Sequence, residues 1–214
     1  MTDKNESGAV KTGKAKIADI LLISWISMLG PLAANMYQPS FGELEAYFGI
    51  SHATVTQTLT VSLVTFAISS LFVGAVSDRF GRKPVILWCT GLLALASVML
   101  ATCESLGAFF FWRVIQGTAA CAGPVLTQAV VRDRWSGPTA TKMLALMTLL
   151  FALAPAFSPV LGGAVTLAWG WRGIFWTTAA INAALAVTVF FRFKETLPPE
   201  GRSAGNALPK TPAI

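Results

Sequence analysis

Charged residues are scarce in this sequence. Asp, Glu, Lys and Arg make up only 12% of its 214 residues, while 54% are hydrophobic and the mean hydropathy is +0.63. A soluble domain of this length carries about a quarter charged residues, so the composition excludes an ordinary soluble domain. Long apolar stretches with so little charge indicate a membrane protein.

Cysteine and histidine are scarce too, with three residues and one residue respectively. Cys89, Cys103 and Cys121 lie in or at the edge of apolar stretches without paired spacing, so the sequence supports neither a disulfide framework nor a metal site. We expect the three thiols to act as small packing residues. The sequence also lacks a candidate nucleophile, a metal-ligand cluster and a phosphate-binding loop. We therefore predict a protein that is not an enzyme and needs no cofactor.

Strands of alternating polarity are absent from the sequence, which argues against a transmembrane β-barrel. The long apolar stretches are candidate helices, because a helix satisfies its own backbone hydrogen bonds in lipid. Each has at least 19 residues, enough for about 30 Å of hydrocarbon at about 1.5 Å per residue. We therefore predict an all-α membrane protein with six transmembrane helices. They are residues 17–38, 53–77, 85–103, 106–131, 143–168 and 173–193.

The basic residues fall on one side of the predicted helices. Of the 16 Lys and Arg residues, 14 lie on the side of the termini, whereas Arg172 lies on the opposite side and Arg113 within a helix. The positive-inside rule therefore predicts that both termini are cytoplasmic. Residues 1–16 then form a cytoplasmic tail, residues 17–193 the bundle, and residues 194–214 a flexible cytoplasmic tail rich in Pro and Gly. Basic residues beside helices contact the lipid bilayer, so the net charge of +6 implies no nucleic acid partner.

One charged segment, GAVSDRFGRKPV at residues 74–85, interrupts the apolar sequence between the second and third helices. Its bases Arg79, Arg82 and Lys83 each gain about 1 kcal/mol at the anionic inner surface of the membrane, which explains them as anchors. The anionic membrane surface that attracts these bases repels the negative charge of Asp78. We therefore expect Asp78 to have a positive partner, either one of these bases or the N-terminus of a neighbouring helix.

Glycine and proline are concentrated where helices are expected to meet. Glycine permits close contact between helices and proline removes a backbone hydrogen bond, so such positions predict narrow or bent helices. Gly-Pro steps begin at Gly30 and Gly123, in the first and fourth helices, which favours two repeats of three spans in inverted orientation. The other positions of interest are Gly74, Gly81, Pro155, Pro159, Gly162 and Gly163.

Arg113 lies seven residues, about 10 Å, inside the outer end of the fourth helix. An arginine near the bilayer centre costs at least about 2.5 kcal/mol, so two placements are open. Either its side chain reaches back to the outer surface, or it faces the bundle interior and bonds to polar groups of the first helix. Asn35, Tyr37 and Gln38 offer such groups at the outer end of that helix.

Five segments resemble one family. Residues 74–85 resemble the loop signature of the major facilitator superfamily, G-x-x-x-D-R-x-G-R-[KR], and RVIQGTAACAG, from Arg113, resembles its fourth-helix motif. LAPAFSPVLGG resembles the fifth-helix motif of its antiporter branches. NMYQPSF and FRFKETLPPEGR resemble the bicyclomycin and chloramphenicol resistance subfamily of drug efflux proteins. The resemblance covers residues 17 to about 202, in order, and is to the N-terminal six-helix half of such a protein.

The resemblance implies a multi-pass transporter of the bacterial inner membrane that exports small lipophilic drugs by alternating access. It also implies a substrate cavity and a gating interface. The cavity residues would be Asn35, Tyr37, Gln38, Arg113, Gln116, Phe151 and Phe157. The gating residues would be Gly74, Asp78, Arg79, Gly81, Arg82, Lys83, Pro155, Pro159, Gly162 and Gly163.

Family members have two bundles, whereas the resemblance covers one. We expect a second six-helix bundle, either another copy of this chain or a separate protein, because a bundle alone would expose Arg113 to lipid. In a pair of copies, Asp78 would hold the inner gate shut against the start of the partner's fifth helix, near residues 139–142. Asn35 stands where the subfamily commonly has aspartate, which leaves proton coupling open. The alternative function is a truncated, non-transporting membrane scaffold or an inactive fragment of an efflux pump.

Overall fold

A computed structural model describes residues 17–197, and no strand occurs in them, so the predicted all-α fold is confirmed. The predicted tail at residues 1–16 and most of the predicted tail at residues 194–214 lie outside the described residues. A short 3-10 turn, Gln38–Ser40, follows the first helix. The helices are α1 (Ile17–Asn35), α2 (Phe41–Phe48), α3 (His52–Phe80), α4 (Arg82–Thr102), α5 (Leu106–Ala120), α6 (Ala122–Arg134) and α7 (Gly137–Arg192).

Five segments of the described chain are long and apolar enough to cross a membrane. The last is α7, whose 56 residues are two helices joined at a kink, Gly170, with φ 68° and ψ −174°. Glycine adopts this positive φ without the steric cost of a side chain. A carboxylate oxygen of Glu43 accepts a hydrogen bond of 2.6 Å from the backbone N–H of Trp171. An acidic residue therefore caps the helical part that follows the kink.

The charged joint between α3 and α4 is shorter than the sequence predicted. α3 continues to Phe80, three residues past the predicted end at Ser77, and α4 begins at Arg82. Only Gly81 separates the two helices, with φ 102°, a conformation that favours glycine. Asp78 is therefore a helical residue that lies close to the start of the next helix.

The apolar core is divided into two clusters. One is rich in aromatic side chains such as Phe109 and Phe175, and the other is mostly aliphatic and involves all the long helices. Along α5 the aromatic cluster ends at Trp112 and the aliphatic cluster begins at Ala119. Arg113 and its neighbours therefore lie in a polar layer between the two clusters.

The Gly-Pro steps of α1 and α6 each pack closely against a neighbouring helix. A Cβ atom at Gly30 would lie 2.9 Å from the carbonyl oxygen of Ala120, and one at Gly123 would lie 2.5 Å from that of Ile26. Only glycine permits such an approach of two backbones. Pro124 has no N–H to bond to the Ala120 carbonyl, so that oxygen is available to face Gly30.

Candidate functional site

Arg113 is the centre of a buried polar cluster. Its side chain has no exposed surface, although it lies on α5 in an otherwise apolar segment. Its Nη1 donates a hydrogen bond of 2.5 Å to Oε1 of Gln116, one turn further along the helix. The ring centre of Tyr37 lies 3.6 Å from Cζ of Arg113. This cation–π contact is strengthened by the exclusion of water from the site.

Further hydrogen bonds tie the cluster to the surrounding helices. Nε2 of Gln116 donates to the hydroxyl of Ser97 on α4 over 3.2 Å. The hydroxyl oxygens of Tyr37 and Thr58 lie 3.2 Å apart and link the end of α1 to α3. The hydroxyl of Ser62, also on α3, donates to the backbone carbonyl of the central arginine over 3.0 Å. The cluster therefore fixes four helices around one cation.

Two nitrogen atoms of Arg113, Nε and Nη2, are buried and have no hydrogen-bond partner among the described residues. A cavity of about 20 Å³ lies beside this side chain, between α1, α3 and α5. One water molecule requires about 10 to 15 Å³, so in this conformation the cavity admits one water and no larger group. The cluster is a positive site that is closed to solvent.

The structure resolves the two placements that the sequence left open for Arg113. Its side chain does not reach the outer surface, because none of it is exposed. The expectation that a bundle alone would expose Arg113 to lipid is wrong. The rings of Tyr37 and Phe175, with centres 3.6 and 6.0 Å from the guanidinium carbon, lie over it.

The other predicted cavity residues lie outside the cluster. Asn35 and Gln38 are partly buried and bond to each other, with Nε2 of Gln38 2.7 Å from Oδ1 of Asn35. Phe151 and Phe157 are exposed on α7. Within residues 17–197, no hydrogen bond or ring contact joins these four side chains to Arg113.

Sequence reasoning missed Thr58, Ser62 and Ser97, which are all buried in the cluster. Thr58 and Ser62 lie four residues apart and therefore share one face of α3, which is the signal that the sequence carries. Gly117 marks the same contact, because a Cβ atom there would lie 2.3 Å from the carbonyl oxygen of Ser62. The close approach of α3 and α5 brings these polar side chains to the arginine.

A second polar group surrounds Arg82 at the junction of α3 and α4. The buried Arg82 pairs through Nη2 with Asp78 at 2.6 Å and through Nε with Asp133 of α6 at 3.0 Å. Its Nη1 also donates to the hydroxyl of Ser77. Of the two partners considered for Asp78, the structure shows a base, Arg82. Asp133 was not singled out in the sequence, and it supplies the second carboxylate.

The N-terminus of α4 is capped by Glu195, from the segment that follows α7. Its two carboxylate oxygens accept hydrogen bonds from the backbone N–H groups of Arg82, at 3.0 Å, and Lys83, at 3.1 Å. A carboxylate is favoured at this position by the free N–H groups and the helix dipole. The Lys83 ammonium donates to the carbonyl of Phe190, near the end of α7, at 2.8 Å. Residues 194–197, which we assigned to a tail, therefore contact the bundle.

Two of the remaining predicted gating residues contact little. Arg79 is exposed, and its guanidinium carbon lies 5.5 Å from the ring centre of Phe80. A Cβ atom at Gly74 would lie 3.9 Å from the side chain of Val125, which is an ordinary contact. These two residues present surface that another chain can reach.

The predicted gating residues of α7 divide into tight and loose contacts. A Cβ atom at Gly162 would lie 1.8 Å from the carbonyl oxygen of Met36, whereas one at Gly163 would meet its nearest neighbour at 4.0 Å. Pro155 and Pro159 lie inside the helix without interrupting it. Gly162 is therefore the position at which α7 meets the end of α1.

Residues 23–214 match the profile of the family described as Major Facilitator Superfamily. The chain belongs to this family. Its major facilitator relatives include the "Bicyclomycin resistance protein homolog" of Haemophilus influenzae, which is 35% identical over 88% of this chain and 48% of the relative. The "Multidrug resistance protein MdtL" of Escherichia coli is 33% identical over 80% of this chain and 44% of the relative. The chain spans about half the length of these curated major facilitator relatives.

A solved structure of a transporter is also similar to this chain. The human organic anion transporter MFSD10 (TETRAN) is 26% identical, with a TM-score of 0.67 over 86% of this chain and 49% of that chain. The membership predicted from the motif at residues 74–85 and its four companions is therefore confirmed. The chain is a membrane protein of a transporter family whose bacterial members include proteins named for drug resistance.

Proposed function

We propose that this chain is one six-helix bundle of a half-size exporter in the bacterial inner membrane. It pairs with a second six-helix bundle, either another copy of itself or a separate half. Together they move small lipophilic drug-like compounds out of the cytoplasm by alternating access. The names of the two bacterial relatives support the class of compound.

Three observations support the proposed topology. The kink at Gly170 supports six crossings, because the parts of α7 before and after it are each long enough to span a membrane. The distribution of basic residues supports two cytoplasmic termini. The contacts of Gly30 with Ala120 and of Gly123 with Ile26 support an inverted repeat of three helices. The Gly-Pro step of α1 packs against the end of α5, directly before α6, and the Gly-Pro step of α6 packs against α1.

The buried cluster around Arg113 carries the functional proposal. A cation inside a transmembrane bundle is energetically costly, and such residues mark substrate or ion pathways. Gln116 and Tyr37 hold this guanidinium in place between α1 and α5. Transporter sites lie at such positions, between helices and near the middle of the membrane.

Exposed helix faces support the pairing with a second bundle. Only 11% of the most apolar stretch of α3 is buried, whereas 61% of the most apolar stretch of Leu106–Arg134 is buried. Large side chains such as Leu71 and Phe72 on α3, and Phe157 and Val160 on α7, are exposed. The chain also spans about half of its curated relatives, which leaves the length of a second bundle in each.

Asp78 is proposed to hold the inner gate of the assembled pair closed. Its side chain remains 62% exposed although one oxygen pairs with Arg82. In a pair of copies, the exposed part would face the first turn of α7 in the partner copy, near residues 139–142. The N–H groups of that turn and Lys142 attract a carboxylate.

We assign proton coupling to no residue of this bundle. Asp19 of α1 pairs with Arg134 at 3.5 Å, at the end of the bundle that the charge distribution places inside. Asn35 is an amide and does not titrate. The second bundle could supply a carboxylate for coupling.

Drug accumulation in bacterial cells without their own efflux pumps tests the proposed function. Cells that express the chain should accumulate less of at least one compound, from a panel of neutral, cationic and anionic lipophilic drugs, than cells with an empty vector. Arg113→Gln should abolish the difference, whereas Arg132→Gln, which removes an exposed charge on α6, should preserve it. Equal accumulation in all four strains, with normal protein levels in the membrane, would support the non-transporting scaffold instead.

A further inference from the structure

The two unpartnered nitrogens of Arg113 form one complete edge of its guanidinium. Nε and Nη2 point their N–H bonds in parallel along that edge, which is the fork that binds two oxygens of one carboxylate. The remaining sides are occupied, because Nη1 donates to Gln116 and the ring of Tyr37 lies close to the guanidinium. The arginine is therefore held in place, and its bidentate edge has no hydrogen-bond partner among residues 17–197.

Arg82 shows how the same chain satisfies such an edge elsewhere. Its Nε pairs with Asp133 at 3.0 Å and its Nη2 with Asp78 at 2.6 Å. Both of these nitrogens therefore form an ion pair with a carboxylate oxygen. At Arg113 the same two atoms meet none among residues 17–197, although this side chain is the more deeply buried of the two.

The bundle supplies no carboxylate to Arg113. Within residues 17–197, the hydrogen bonds and ring contacts of its side chain involve only Gln116, Tyr37 and Phe175, and no ion pair includes it. A water molecule in the adjacent cavity would accept hydrogen bonds but would carry no charge. The described residues therefore leave this positive charge uncompensated, and in surroundings of low dielectric constant it attracts anions and repels cations over several ångströms.

We infer that Arg113 binds an anionic group, a carboxylate or a similar planar oxyanion, of the transported compound. The inference rests on the proposed function and narrows its substrate class to compounds with one anionic group on a lipophilic body. The exposed Leu63 and the partly exposed Phe66 of α3 line the cavity beside Arg113. Rotation of these two side chains would join the cavity to the open face of the bundle and admit the anion.

A carboxylate of the second bundle has the same chemistry as an anionic substrate. A residue from that bundle would occupy the fork only in the assembled complex, whereas a substrate occupies it in both the complex and the lone bundle. The two sources are therefore distinguished by measuring binding in both states of assembly.

Binding of a matched acid and ester tests the inference. We would measure anthracene-9-carboxylate and its methyl ester at pH 7 by equilibrium dialysis, with the full chain in nanodiscs and empty nanodiscs as the blank. A bidentate, charge-assisted pair is expected to favour the acid by about tenfold or more. Arg113→Gln should reduce this preference to within about twofold, while Arg132→Gln should leave it unchanged.

Three outcomes would overturn the assignment. The first is equal binding of acid and ester to the unmodified chain. The second is a preference for the acid that survives Arg113→Gln in a protein whose circular dichroism is unchanged. The third is a preference in the lone bundle that disappears in the assembled complex, which would identify a carboxylate of the second bundle as the occupant.

A second variant keeps the test decisive if Arg113→Gln fails to fold. Arg113→Lys retains the charge but replaces the fork by a single ammonium, so the preference should fall to a few-fold, and a full preference would contradict the inference. Dialysis requires no transport. Binding of the acid without any export would therefore refute the proposed function alone, while export without acid preference would refute this inference alone.

Discussion

Asp133 is the less exposed of the two carboxylates that pair with the buried Arg82. The Arg82 side chain is only 8% exposed, and Asp133 bonds to its Nε from α6, more than fifty residues away in the chain. Asp78 bonds to the same guanidinium from one turn earlier but is itself 62% exposed. Without Asp133, whose side chain is 23% exposed, the buried guanidinium keeps only the mostly exposed Asp78 as an ion-pair partner, which costs stability, whereas loss of an exposed partner costs little.

These two carboxylates should therefore differ in their effect on stability. We expect Asp133→Asn to lower the free energy of unfolding by about 2 to 3 kcal/mol and Asp78→Asn by less than about 1 kcal/mol. Thermal unfolding of the purified variants in one detergent would measure both changes. Similar losses for the two variants would show that Asp133 has no special part in holding Arg82.

The sequence identified Arg113 as a cation inside a helix, but it could not determine how the side chain is covered. The covering groups are Tyr37 and Phe175, from helices far away in the chain. Asp133 was overlooked because Arg132 and Arg134 flank it, and such a run is typical of a solvated inner surface. In both cases the missing information is the packing of distant helices.

At the scale of helices, several contacts are made by glycine against a backbone carbonyl. A Cβ atom would lie 2.3 Å from the Ser62 oxygen at Gly117 and 1.8 Å from the Met36 oxygen at Gly162. Backbones in such contact gain close packing and weak Cα–H···O bonds. A methyl group at either position requires the helices to separate.

Gly162 and Gly163 provide a matched pair of substitutions. Gly162→Ala should destabilise the bundle by about 2 kcal/mol or more, because the new methyl meets a backbone atom that cannot rotate away. Gly163→Ala should be neutral or stabilise by about 0.5 to 1 kcal/mol, because alanine is the better helix former and the nearest atom is 4.0 Å away. Thermal unfolding of the two variants is the measurement, and a larger loss for Gly163→Ala would contradict this packing.

Hydropathy located the apolar helices but not all of their ends. It ended the second helix at Ser77, although α3 continues to Phe80, because charged residues near a membrane surface still form helix. It treated 106–131 as one span, which agrees with the single apolar segment Leu106–Arg134, within which α5 and α6 are separated only by a turn at Cys121 that keeps helical dihedral angles. Pro124 lacks the N–H that would bond to the Ala120 carbonyl at this turn.

At the scale of the whole molecule, the proposed pairing places α3 of one copy beside α7 of the other. Asp78→Cys combined with Lys142→Cys, in a chain whose native cysteines are replaced by serine, should then form a disulfide between copies. The expected product has twice the 22.7 kDa mass of the chain on a non-reducing gel. A chain that pairs with a different protein would give no such product.

The control for this experiment uses α4. Leu95 is 50% exposed, but α4 is not a proposed interface, so Leu95→Cys in the same background should remain monomeric on the gel. Dimers from Leu95→Cys in equal amount would indicate random collision in the membrane. If neither variant forms dimers and the mass of the purified protein is that of a single chain, the two-copy assembly is refuted. The proposed contact between Asp78 and the partner copy is refuted with it.

The glycine contacts at positions 30, 117 and 162 also bear on how the molecule can move. Where backbone touches backbone, no layer of side chains exists whose rotamers could change to let two helices slide. The helices joined in this way should move as one rigid body, so a rotation that opens its cytoplasmic side closes its outer side by the same angle. Bending within the bundle would then contribute little, and the interface with the second bundle would determine how far each side opens.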